Sequence, residues 1–269
     1  MLAKRVASAV VAIILLIVVL WIGGWVFDLA VLTLSLIGMR EIYRAFENNG
    51  NHPQKTAGYL IAALFHIQHY LFSGSYDFFF IMTAVVFLLS VLIWKTNVRP
   101  VDIAVTILGV FYPGILLTTA AMMRKAAIVH PYYLLIMSLT ATYSTDTCAY
   151  FTGRLFGRRK LCPAVSPKKT VEGSIGGLIG SFIFILMLGF ILNWVYNTHV
   201  HPIHFVFIGL LGGIFSQIGD LTASAIKRCC GLKDFGNIMP GHGGILDRID
   251  SLLFVLPIIY VYSQLVLVG

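Results

Sequence analysis

Charge is what this sequence has least of. Of its 269 residues only 11% are Asp, Glu, Lys or Arg, while 58% are hydrophobic, and the mean hydropathy is +0.89. A chain of that composition has too little polar surface to cover a water-soluble globule, which excludes the soluble globular classes. Acidic residues are the scarcer sign, 11 against 19 basic. Cysteine is scarce as well. The four present form no CxxC pair, which argues against a thiolate zinc site. Adjacent Cys229 and Cys230 are poor disulfide partners on a cytoplasmic face, and Cys148 and Cys162 read as small apolar fillers. No RNA- or DNA-binding module is present, so the net charge of +8 is not read as a nucleic-acid footprint.

What the chain has instead is apolar length. About 20 apolar residues cross a hydrocarbon core, and nine such segments can be read near 6–24, 25–40, 57–73, 78–94, 103–123, 131–151, 173–196, 203–221 and 251–268. The expected class is all-α, a polytopic integral membrane protein of about nine spans. Charge orients it. With Lys4 and Arg5 cytoplasmic, nine spans put every Lys and Arg on the cytoplasmic side except Arg124 and Lys125, as the positive-inside rule requires. The N-terminus resembles a signal peptide, but its apolar run is too long and no small-x-small site follows, so a retained first span is expected. The localisation that follows is multi-pass in the cell (inner) membrane.

The chain divides near residue 125. Residues 1–125 read as a scaffold of five spans with short loops. There Arg40-Glu41-Ile42-Tyr43-Arg44 reads as an interfacial helix end with snorkelling cations. Asp28 and Asp77 sit at outer loop edges with no role expected. His66 and His69 share a helical face, but with no carboxylate nearby in sequence no metal site is expected. Residues 126–269 read as a catalytic region of four spans with two polar cytoplasmic loops.

In that second region Asp146 lies inside the cytoplasmic end of a span, among Thr142, Ser144, Thr145 and Thr147. Intramembrane carboxylates usually face a cavity or a partner. With Tyr150 and Gly153 it forms an i, i+4, i+7 face. A basic loop follows, with Ser166-Pro167 breaking the chain and Thr170, Glu172 and Gly173 starting the next helix. Helix N-terminal amides beside Lys168 and Lys169 make a natural anion site. Further on, Gln217–Asp250 packs four aspartates, four cations, a histidine and six glycines behind an apolar run. Asp220, Ser224 and Lys227 fall at i, i+4, i+7 on a helix that runs through Arg228 and is ended by Gly231. Asp247 and Asp250 are i, i+3 neighbours at the next helix start. Carboxylates from two helix ends can share one Mg²⁺, which takes one or two carboxylates and completes its shell with water and substrate phosphate. These are the parts of phosphoryl-group chemistry, placed beside a bilayer where one substrate would be a lipid.

The run Ser224-x-Ile226-Lys227-Arg228-x4-Lys233-Asp234-x-Gly236-x4-Gly241-His242-Gly243-Gly244-Ile245-x-Asp247-Arg248-Ile249-Asp250 resembles the signature of the phosphatidate cytidylyltransferase (CDP-diacylglycerol synthase) family. Ser166-Pro167-Lys168-Lys169-Thr170-x-Glu172-Gly173 with Gly176-Gly177, and Asp146-x-x-Ala149-Tyr150-x-x-Gly153-Arg154, are similar to further stretches of that family. The specific resemblance covers 138–257. One position departs: Ala223 stands where many members carry Glu.

The resemblance implies CTP and phosphatidic acid as substrates, CDP-diacylglycerol and pyrophosphate as products, and Mg²⁺ as cofactor. On that reading Asp220 and Asp247 are the leading metal ligands, with Asp146 and Asp250 beside them. Lys168, Lys169, Lys227 and Arg248 would hold phosphates, and Ser166, Thr170, Ser224, Arg228, His242, Gly243 and Gly244 would contact substrate. Asp234 reads as a loop-ordering partner of Lys233 or Arg228. A cytoplasm-open polar cavity with a lateral opening would admit CTP from water and phosphatidate from the bilayer. A homodimer is an ordinary expectation that no residue pattern specifies. A CTP-using lipid-alcohol kinase should lack the Lys-Asp…His-Gly-Gly…Asp-Arg-x-Asp run. A cation transporter should show a counterpart of these polar helices in the N-terminal half, and none is visible. A CDP-alcohol phosphotransferase should show DGxxAR…GxxxDxxxD, which is absent.

Overall fold

The structure, a computed structural model, describes residues 2–125, 130–239 and 243–267. Long apolar stretches leave the backbone one way to satisfy its N–H and C=O groups, the helix. In chain order these are α1 (Leu2–Ile22), α2 (Gly24–Glu47), α3 (Lys55–Phe72), α4 (Asp77–Trp94), α5 (Pro100–Gly109), α6 (Leu116–Lys125), α7 (Tyr133–Phe156), α8 (Val171–Tyr196), α9 (Pro202–Cys229) and α10 (Leu246–Tyr262). A π-helical turn, Val110–Ile115, joins α5 to α6, and a second, Ser263–Leu267, continues α10. Counting α5–α6 as one, the described residues hold one continuous helix for each of the nine expected segments, with α2 and α9 running on to Glu47 and Cys229, past the expected ends at 40 and 221. Five of these are long and apolar enough to cross a membrane: 77–94, 100–125, 171–196, 202–229 and 246–267. The molecule has the make-up of a membrane protein.

One element departs from an all-helical reading. Lys160–Cys162 (β1) and Ser166–Thr170 (β2) pair antiparallel, with Lys160 opposite Thr170 and Cys162 opposite Ser166. Ser166-Pro167 therefore lies in a strand rather than breaking the chain. A two-stranded ribbon consists of edges, where a proline without an N–H is tolerated.

The chain forms two compact units, residues 1–122 with 229–248 and residues 123–228 with 249–269. In the first, Tyr43 is fully buried and its hydroxyl donates to the Thr106 carbonyl (3.0 Å). Its ring occupies the space that side chains at Gly58 and Gly109 would need. Gly38 likewise admits Pro113, whose missing N–H is the local cause of the wide π turn. Asp102 caps α5 and accepts from the His52 N–H (2.6 Å) and Arg99, which holds the 48–54 connection. His69 does have a carboxylate neighbour: its Nδ1 lies 2.9 Å from Asp77 Oδ2 across the turn between α3 and α4. The sequence reading missed this because eight residues and a reversal of direction separate the two.

In the second unit, α7 and α8 meet along a seam of small residues. A Cβ at Gly173 would fall 2.8 Å from the Ala149 carbonyl, and one at Gly177 2.9 Å from that of Thr145. Such close backbone approach is how apolar helices associate where the hydrophobic effect is weak. All four cysteines are free thiols, and Cys148 fills the space above Gly180, as expected of a small apolar filler.

Candidate active site

The second unit gathers one set of polar helix ends. Thr170 caps α8, its Oγ1 accepting from the Gly173 N–H (3.1 Å). Two residues on, Glu172 accepts backbone N–H bonds from Arg158 (3.0 Å) and Arg159 (3.2 Å), which ties the β1–β2 ribbon to the helix start. The ribbon presents Arg158, Arg159, Lys160 and Lys168 to the exterior, while Ser166 and Lys169 are half-buried. Lys169 turns onto α9 and forms an ion pair with Asp220 Oδ2. Ser224, one turn further along α9, donates to Asp220 Oδ1 (3.4 Å). Arg228 Nε donates to the Val165 carbonyl (3.4 Å), a second link from α9 to the ribbon. Two motifs separated by about fifty residues thus meet at one carboxylate.

Gly219 explains how Asp220 is positioned. A Cβ there would fall 2.8 Å from the Asp250 carbonyl and 3.0 Å from Ser251 Cα, so α9 and the first turns of α10 touch backbone to backbone. Asp250 is buried, and its Oδ1 accepts from the Ser251 N–H (2.7 Å) and hydroxyl (3.3 Å). Lys227 is buried on α9. Asp146 is exposed on α7 together with Tyr150, whose hydroxyl accepts from Arg154 (3.1 Å). Since α7 extends to Phe156, Asp146 lies deeper from the helix end than its sequence reading placed it. Ala223 is fully buried, so a glutamate there would need a partner of its own.

The first unit holds the other set. Asp247 is buried, and its Oδ2 accepts from the N–H groups of Phe235 (2.8 Å) and Gly244 (3.0 Å). Gly243, at φ +88°, lies against the same oxygen and against Asp234. The sequence reading missed a further member. Glu41, treated as an interfacial helix end, is 4% exposed, and its carboxylate accepts from the N–H groups of Ile245 (3.0 Å) and Leu246 (2.8 Å). It therefore caps α10 from 205 residues away. It also fills the space a side chain at Gly236 or Gly244 would occupy, which accounts for two glycines of the signature run. Glu41 lies beyond the 25–40 span. Burial pushes its carboxyl above the ordinary range, against the pull of the Leu246 and Ile245 N–H groups. The only sequence signal was an acid inside a basic helix end. Arg248 is exposed. His242 lies outside the described residues.

Among the described residues no three or more His, Cys, Asp or Glu side chains are grouped as a metal cage. A Mg²⁺ shared with a nucleotide needs no cage, only one or two carboxylates and the phosphates of its substrate. Asp220, an all-oxygen donor beside a lysine, fits that kind of site.

Apolar helices whose ends gather carboxylates, lysines and glycines define a membrane protein equipped for phosphate-bearing substrates. The sequence profile of the cytidylyltransferase family matches residues 3–266, and the chain belongs to that family. It is 31% identical to a phosphatidate cytidylyltransferase of Synechocystis, across 98% of this chain and 97% of that protein. A phosphatidate cytidylyltransferase of Staphylococcus haemolyticus is 33% identical, across 95% and 96%. One from Bacillus subtilis is 49% identical over 118 residues, 44% of this chain and 42% of that protein.

Proposed function

We propose that this chain transfers CMP from CTP to phosphatidic acid with Mg²⁺, giving CDP-diacylglycerol and pyrophosphate. The observation that carries the reading is the Lys169–Asp220 pair, which joins the 166–173 motif to the 220–228 helix face. It is supported by family membership and by the full-length similarity to phosphatidate cytidylyltransferases.

The phosphatidate oxygen is already an anion and needs no strong base. It attacks the α-phosphorus of CTP, a new P–O bond forms, and the bond to the β-phosphate oxygen breaks with its electron pair leaving on pyrophosphate. The barrier lies in bringing two anionic phosphates together, so catalysis is positioning and charge stabilisation. Lys168, Lys169, Lys227 and Arg248 are the proposed phosphate-holding cations. Lys169 would exchange Asp220 for a nucleotide phosphate as CTP enters. Ser166, Thr170, Ser224, Arg228, Gly243, Gly244 and His242 are the proposed substrate contacts. Bound Mg²⁺ would supply Lewis-acid stabilisation of the phosphate charge. Its proposed ligands are Asp220 and Asp247, with Asp146 and Asp250 as supporting carboxylates. The proposed setting is the cytoplasmic face of the cell membrane, with a cavity open to CTP from water and to phosphatidate from the side. Residues 1–125 would serve as scaffold and 126–269 as catalytic region.

Purified protein in detergent should convert labelled CTP to a lipid-extractable product only when phosphatidate and Mg²⁺ are both present. Equal turnover of a lipid alcohol, or no lipid product with phosphatidate supplied, would overturn the reading.

A further inference from the structure

One groove lies within the first unit and is lined by none of the residues discussed as catalytic. Helices α3 and α4 form an antiparallel hairpin and diverge around a cleft of about 720 Å³. Small residues make the concavity: Ala57 on α3, with Thr83 and Ala84 on α4, sit between the larger Leu60, Leu64, Phe80 and Phe87. The walls are apolar and the mouth is not. The start of α3 brings Gln54, Lys55 and Thr56 to one end, and the residue after α4 brings Lys95 to the same end.

Three observations restrict what fills it. First, α4 is so apolar and so little covered, with 11% of it buried inside the protein, that its surroundings are hydrocarbon rather than water. Second, the groove has the length of one leaflet. From Lys95 back to Phe80 the helix climbs about 22 Å at 1.5 Å per residue, against about 15 Å for half a hydrocarbon core plus a headgroup layer. Third, the mouth carries positive charge. Lys55 pairs with Glu47 (2.7 Å), but Lys95 Nζ donates to the neutral Gln54 Oε1 (3.2 Å), so these groups leave one cation in excess.

We infer that the α3–α4 groove is a binding site for an anionic glycerophospholipid, with one acyl chain between Leu60, Leu64, Phe80 and Phe87 and the headgroup phosphate between Lys55 and Lys95. A phosphodiester carrying one net negative charge matches the excess cation. A zwitterionic headgroup brings its own ammonium toward two lysines and is disfavoured. This site shares none of the residues proposed above for substrate binding and does not depend on that reading.

Native mass spectrometry of delipidated protein tests it, using phosphatidylglycerol and phosphatidylcholine with matched acyl chains. Each lysine near the surface favours an anionic lipid by an amount that, after the offset from Glu47, gives roughly a tenfold preference for the first bound phosphatidylglycerol. The double variant Lys55→Gln/Lys95→Gln should bring that ratio close to one while leaving CTP turnover unchanged. Ala84→Phe should fill the cleft and remove one bound lipid of either type. Equal affinity of the unmodified protein for both lipids would overturn the inference. So would a preference that survives in the double variant, or an unchanged lipid count in Ala84→Phe.

Discussion

One carboxylate of the second unit, Asp220, and two of the first, Glu41 and Asp247, differ in what they hold. Asp220, in the second unit, has a lysine and a serine hydroxyl as partners. Glu41 and Asp247, in the first, have backbone N–H groups, two apiece. A side chain paired with a mobile ammonium can exchange that partner for a metal or a phosphate without disturbing the backbone. A buried carboxylate bonded to amides is part of the loop's own construction, since losing it strands buried donors. Similar residues can therefore carry chemistry at one place and shape at another.

The largest effect should come from breaking the first kind. Asp220→Asn removes the charge that Lys169 now matches, and turnover of CTP should fall by about 10²–10³-fold, the scale seen when one preorganised electrostatic contact is removed. Its thermal stability in detergent should stay close to that of the unmodified protein. Retained activity would take Asp220 out of the reaction.

Asp247 lets the comparison be sharpened at a single residue. Asp247→Asn keeps an oxygen to accept from Phe235 and Gly244 but loses the charge, whereas Asp247→Ala loses both. A ligand role predicts turnover lowered in Asp247→Asn, by no more than in Asp220→Asn, with the melting temperature unchanged. Asp247→Ala, and Glu41→Ala with it, should lose about 2–4 kcal/mol of stability, because each strands two buried N–H donors. Full activity in Asp247→Asn together with a lower melting temperature in Asp247→Ala would make Asp247 a loop builder alone.

The smallest effect is expected at the helix cap of the second unit. Thr170→Ala removes the acceptor for the Gly173 N–H and should lower stability by about 1 kcal/mol, read as a modest shift in melting temperature. A larger loss would show that the ribbon and α8 are more tightly coupled than the cap and Glu172 account for.

Much of this was legible before any coordinates. Helix α9 runs past Arg228 and is followed by Gly231 at φ +67°, as its i, i+4, i+7 stripe and terminal glycine indicated. The Thr170 cap was readable because capping is a three-residue pattern. The β1–β2 ribbon was not, since three- and five-residue strands rich in Lys and Pro carry no alternation to detect. His69 reads as lacking a carboxylate and Asp77 as a loop-edge residue without a role, because only the turn between α3 and α4 brings them together.

Sequence alone determined the membrane character, the nine helical segments, and which polar residues were candidates for phosphate chemistry. All of these follow from composition and from local periodicity. Tertiary structure alone decided which carboxylate meets which partner. Glu41 reaches the amides of 245 and 246 across more than two hundred residues, and Asp220 meets Lys169 across about fifty. A hydrogen bond to a distant backbone leaves no period or motif in the chain. It exists only once the glycines that admit it, Gly236 and Gly244, are brought against that side chain.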